Sequence, residues 1–150
     1  MIAPAPLGSG SLDDGPASFA AVKPPTGSGA PDSLNAVTLV TNDMAASVAF
    51  YEAVGLEVAF GGPDAPFTTM RIGATDFLNL QLDGEWSPPT RVWGRFIVWV
   101  DDVDAVYRRL LDRGIVAEFE PSDAPWGERY FHVLDPAGHE LSVARRLDRH

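Results

Sequence analysis

The feature that most constrains this chain is an internal repeat. Asp43-Met-Ala-Ala-Ser-Val-Ala-Phe-Tyr-Glu-Ala-Val-Gly55 and Asp102-Val-Asp-Ala-Val-Tyr-Arg-Arg-Leu-Leu-Asp-Arg-Gly114 lie 59 positions apart at both ends (102 − 43 and 114 − 55). In each copy an Asp stands where a helix N-cap belongs, its carboxylate able to accept the first free backbone N–H groups. In each copy a Gly follows the helix, where a positive φ ends it at little steric cost. Val103, Val106, Tyr107 and Leu110 keep the i, i+3, i+4, i+7 spacing of a one-sided helix, and Met44, Val48 and Tyr51 a weaker version of it.

Strands flank both helices in the same order. The alternating stretch 36–41 precedes Asp43, and 95–100 precedes Asp102. Three strand candidates follow each helix: 56–60, 67–72 and 77–82 in the first copy, 115–119, 129–134 and 140–144 in the second. Asp135-Pro-Ala-Gly138 is a turn signal, and Asp83-Gly84 with Ser87-Pro-Pro89 marks a short linker between copies. The fold class this predicts is α+β: two tandem βαβββ modules, about 34–86 and 91–147. Residues 1–33 are Pro-, Gly- and Ala-rich and keep no period of 2 or 3.6, so they read as a flexible tail. Within it Phe19-Ala-Ala-Val22 is a short stretch able to dock on the domain or a partner.

Each helix must cover one apolar sheet face. Val37, Leu39, Leu78, Leu80, Leu82, Phe96, Val98, Val100, Leu141 and Val143 fit that side. The opposite face then carries Ala36, Thr38, Val40, Thr69, Arg71, Asn79, Gln81, Arg95, Ile97, Trp99, Tyr130, His132, Glu140 and Ser142. A face so mixed is either solvated or the wall of a binding cleft.

Composition narrows the functions. A formal charge of −10 argues against nucleic acid and anionic membranes. It favours a cationic small molecule by long-range attraction and equally serves solubility. With no cysteine there is no disulfide, thiolate metal site or cysteine nucleophile, which fits a reducing cytoplasm. No run approaches the ~18 apolar residues that span a bilayer, and the N-terminus lacks the basic start and apolar run of a signal peptide.

Two stretches, Ala36-Val-Thr-Leu-Val-Thr-Asn-Asp43 and Asp135-Pro-Ala-Gly-His-Glu-Leu-Ser-Val143, resemble the module start and terminal turn of the vicinal oxygen chelate superfamily, which includes glyoxalases, extradiol dioxygenases and bleomycin-resistance proteins. The resemblance covers about residues 34–147 and implies sheets curled around a central cleft. Metal-dependent members hold a divalent ion with His, Gln and Glu at four positions, which map here to Ala36, Asn79, Arg95 and Ser142. Alanine has no donor, arginine is a permanent cation without a lone pair, and Asn and Ser are weak neutral donors. No metal or other cofactor is therefore expected at those positions. Of the three histidines, His139 and His150 read as solvated. His132 has only Glu140 and Ser142 nearby, too few ligands for a relocated ion.

The resemblance implies two functions. The first is metal-free binding of a small organic molecule, cationic or aromatic, as in drug-sequestering resistance proteins that work as homodimers. Trp99 would lead the wall, with Trp86, Trp93 and Trp126 at the rim, and Arg71, Asn79, Gln81, Arg95, Tyr130, His132 and Ser142 would contact and orient the ligand. The second is a glyoxalase-like lyase, isomerase or dioxygenase-related enzyme with an atypical or absent metal site. There His132 would be a general base oriented by Glu140, Arg95 would stabilise an oxyanion, and Tyr130 would donate a proton.

Overall fold

The computed structural model describes residues 27–148. Residues 1–26, among them the Phe19–Val22 stretch, and residues 149–150, with His150, lie outside the described residues. The folded unit begins at Asn35. It runs β1 (Ala36–Thr41), α1 (Met44–Val54), β2 (Glu57–Phe60), β3 (Phe67–Ile72), β4 (Asp76–Leu82), β5 (Arg95–Trp99), α2 (Val103–Asp112), β6 (Ser122–Ala124), β7 (Glu128–Leu134) and β8 (Glu140–Arg146). The two four-stranded sheets have matching orders, β1-β4-β3-β2 and β5-β8-β7-β6. In each the first strand runs parallel to the last and the other pairs are antiparallel. The chain is thus two tandem βαβββ modules.

The repeat earns its symmetry at the helix ends. Asp43 accepts from Ala46 N and Asp102 from Ala105 N. Gly55 and Gly114 both sit at positive φ, 120° and 77°. The helices differ in burial. α2 hides one stripe, Val103, Val106 and Leu110, whereas α1 also buries Ser47, Phe50 and Ala53 because it is packed on more than one side. One neighbour is α2, whose Arg109 donates to the α1 carbonyls of Ala53 and Val54 at 2.7 and 3.3 Å. A cation there satisfies the last carbonyls and opposes the helix dipole.

Below the helices lie Leu39, Met70, Leu78 and Leu80 in one module and Val98, Phe131, Val133, Leu141 and Val143 in the other. Leu82 departs from the expected apolar face: at the end of β4 it is exposed. A strand's last residue outruns the helix that covers its middle.

Two further contacts lock module to module. Tyr51 of α1 donates to Asp135 Oδ2 at 2.7 Å, while Asp135 Oδ1 accepts from Ala137 N and His139 N. His139, in the same turn, donates from Nε2 to the β1 carbonyl of Val40 at 2.8 Å and accepts from Trp93 Nε1 at 2.7 Å. Because indole N–H can only donate, Nδ1 must be the acceptor and Nε2 must carry the proton. His139 was expected to be solvated; it is 3% exposed, stacked on Trp86 and clamped between the modules.

The expected strand 115–119 does not form. Glu118 N bonds to His132 O, but regular pairing starts only at Ser122 opposite Tyr130. Residues 119–121 therefore face the single residue Phe131. Pro121, with no N–H to give, sits where the ladder breaks.

Candidate functional site

The face of the second sheet turned away from the helices can be laid out from its register. Arg95, Glu140 and Leu134 form one row across β5, β8 and β7. Ile97, Ser142 and His132 form the next, and Trp99, Ala144 and Tyr130 the third. Alternation along each strand puts all nine on one side.

The first two rows make the polar end. Arg95 Nε forms an ion pair with Glu140 Oε1. His132 Nδ1 lies 4.0 Å from the same oxygen. His132 is 4% exposed, and its Nε2 has no hydrogen-bond partner. Glu118, brought alongside by its backbone bond to His132, completes the group. One ligand atom each from Glu118, His132 and Glu140 lie within 4.8 Å of one another.

The group's charges are set by its own members. Partial desolvation, then the hydrogen bond and charge of Glu140, raises Glu118 to about 7, although the residue as a whole is exposed. Burial works to raise Glu140 as well, but hydrogen bonds from Glu118 and Arg95 outweigh it and hold that carboxyl low. The proton the two carboxyls share thus rests on Glu118. Burial, then the Arg95 charge, lowers His132 to about 4, so its ring is neutral at pH 7.

The other end is aromatic. Phe119 packs edge-on against Tyr130 and His132, with centroids 5.3 and 5.0 Å apart, and Trp126 tilts over Tyr130 at 5.6 Å. Trp99 is half exposed, with the Arg146 guanidinium 5.2 Å from its ring centroid. Trp86 and Trp93 lie elsewhere, against His139 in the clamp.

Arg71, Asn79 and Gln81 belong to the first module's sheet. Arg71 makes a 3.6 Å ion pair with Glu57, and Gln81 is exposed opposite Val40. Asn79 Nδ2 donates to Thr38 Oγ1 and its Oδ1 accepts from Thr69 Oγ1. The four positions where the superfamily's metal-dependent members ligate an ion do not fit one here. Asn79 is engaged on both atoms of its amide, Arg95 brings a positive charge, Ala36 has no donor, and Ser142 offers one hydroxyl.

Sequence reasoning found His132, Glu140 and Arg95 on one face but missed Glu118. Its place depends on the break at Pro121, and the repeat gave no hint, since position 59 of the first copy is alanine. The run Glu118-Phe-Glu-Pro121, which puts a proline two residues past the strand candidate 115–119, was the available signal.

Two tandem βαβββ modules, each a mixed four-stranded sheet with one helix, define the class of α+β protein to which this chain belongs. The sequence profile of the Glyoxalase/Bleomycin resistance protein/Dioxygenase superfamily matches residues 33–143, and the chain belongs to that superfamily. It is 35% identical over 117 residues to the anthracycline biosynthesis protein DnrV of Streptomyces peucetius, covering 77% of this chain but 42% of DnrV. Among solved structures it is similar to the lactoylglutathione lyase of Agrobacterium tumefaciens, with TM-score 0.60, 26% identity, and coverage of 77% of this chain and 95% of the lyase. The bleomycin resistance determinant encoded on transposon Tn5 shares the fold, with TM-score 0.61, 22% identity, and coverage of 77% of this chain and 98% of the determinant. No helix among the described residues is long and apolar enough to cross a membrane.

Proposed function

We propose that this protein binds a small organic molecule in its cleft, as drug-sequestering members of the superfamily do, with no ion at the superfamily's four ligand positions. The observation that carries the reading is one sheet face with a polar end at Arg95, Glu140, His132 and Ser142 and an aromatic end at Trp99 and Tyr130. Flat rings supply apolar contact area at low entropic cost, and the polar end fixes orientation. Arg71, Asn79 and Gln81 would contribute from the first module. The net charge of −10 and the aromatic side chains favour a cationic or aromatic ligand. DnrV's name makes anthracyclines, beside bleomycin-type compounds, the first to try. Assembly as a homodimer and a cytoplasmic location belong to the same proposal; sedimentation equilibrium checks the first.

Titration of these compounds against tryptophan fluorescence tests the reading. Saturable quenching at micromolar concentration, weakened by Trp99→Ala, with the compound recovered unchanged, supports it. Quenching that Trp99→Ala leaves intact removes Trp99 from the wall, and no saturable binding of either class contradicts the reading.

A second reading is a lyase- or isomerase-type enzyme with an atypical site. What favours it is the meeting of Glu118, His132 and Glu140 at one end of the cleft face, together with the likeness to a lactoylglutathione lyase. Recovery of a converted product, lost in His132→Ala, would establish this reading over the first.

A further inference from the structure

We propose that Glu118, His132 and Glu140 form a divalent-cation site, displaced from the positions other members use. The inference goes beyond the organic-ligand reading and does not depend on it.

Three observations carry it. The first is convergence: one imidazole nitrogen and two carboxylate oxygens, from β7, β8 and the segment before β6, lie within 4.8 Å of one another. A tetrahedral ion with bonds of about 2.0–2.1 Å holds its ligand atoms about 3.4 Å apart. Closing on an ion thus needs side-chain shifts of about an ångström. Glu118 is exposed, so its side chain has room to make most of that adjustment.

The second is His132. A buried imidazole ordinarily has its nitrogens partnered, yet Nε2 has no hydrogen-bond partner and Nδ1 is 4.0 Å from Glu140 Oε1, beyond hydrogen-bond length. A half-turn of the ring exchanges its nitrogens with carbons of similar size, so either nitrogen can serve as ligand. An ion would satisfy a ring that the protein alone leaves unsatisfied.

The third is the support around one of the carboxylates. The Arg95 ion pair to Glu140 Oε1 holds that carboxylate in place, as outer-shell partners of metal ligands do. One nitrogen and two oxygens with a fourth position open is the donor set of Zn²⁺, Co²⁺ or Ni²⁺ rather than Ca²⁺ or Mg²⁺. By register the site lies one step from the usual one: Glu140 is opposite Arg95 and His132 is opposite Ser142.

Cobalt(II) tests this on the full chain after chelator treatment, with no organic compound present. The expected result is one equivalent bound, with the visible absorption of a four- or five-coordinate nitrogen–oxygen site and a rise in melting temperature. Zinc should displace the cobalt. Glu118→Gln, a change at an exposed residue, should weaken binding about tenfold or more at unchanged melting temperature of the metal-free protein, and His132→Asn should abolish the spectrum. Asn79→Ala should leave the spectrum as it is. No saturable cobalt binding up to millimolar concentration overturns the proposal, as does binding that survives both Glu118→Gln and His132→Asn.

Discussion

Removing one hydroxyl, in Tyr51→Phe, should lower stability by about 2–3 kcal/mol. Tyr51 is 0% exposed, and its hydroxyl donates at 2.7 Å to Asp135 Oδ2. A hydrogen bond to a charged acceptor contributes roughly 1.5–3 kcal/mol, and its loss leaves a buried oxygen with no water to replace the donor. The ring itself is retained, so the edge-on contact with Phe50 and the tilted contact with Phe96 survive and no cavity opens. At the urea dependence usual for a small domain, that loss moves the unfolding midpoint down by about 1–2 M. In an Asp135→Ala background the same change should cost less than about 0.5 kcal/mol, since the acceptor is gone. Burial, reinforced by the Asp135 charge and hydrogen bond, raises the Tyr51 phenol well above its ordinary value of 10.0. The native state therefore keeps a proton that the unfolded chain gives up. That stabilisation is fully present below pH 10 and is lost as pH rises through the folded value, and Tyr51→Phe should remove this alkaline loss. A change below about 0.5 kcal/mol in the wild-type background, or the same alkaline loss in both proteins, would refute the claim that this bond straps α1 to the turn before β8.

Other changes probe the same framework. Gly61 has φ 81°, and a Cβ there would meet Phe67 O at 2.3 Å, so Gly61→Ala should cost about 3 kcal/mol or more in thermal or urea unfolding. His139→Ala removes two hydrogen bonds and a stacked contact with Trp86 from the inter-module clamp; about 3 kcal/mol is expected, read by denaturation. Asp102→Ala deletes the α2 N-cap and should cost about 1 kcal/mol, with loss of helix stability measurable by hydrogen exchange.

Much of the fold was legible because its determinants are local and repeated. An Asp cap, a Gly stop and period-2 strands each carry their structural meaning in a few residues, and their recurrence at fixed spacing gave the architecture. Period-2 alternation by itself places Arg95, His132 and Glu140 on one face. Non-local determinants were hidden. His139 looked like a turn residue because nothing near it in sequence shows that Val40 and Trp93 will close around it. Glu118 was concealed by a strand reading that fitted the hydrophobic pattern of 115–119 but ignored the ladder break at Pro121. Leu82 followed the alternation but lies at the end of its strand. The group of two carboxyls and one imidazole thus emerges only when an irregular segment is laid beside β7.

The central claim is that the sheet face away from the helices, in the second module above all, receives the organic ligand. Backbone amide chemical-shift mapping with the compound that quenches tryptophan fluorescence most tightly tests it directly. The largest shifts should fall on β5, β7 and β8 around Arg95, Trp99, Tyr130, His132 and Ser142, while amides near exposed Val116 stay still. Shifts concentrated on the outer surfaces of α1 and α2, with those strands unmoved, would contradict it.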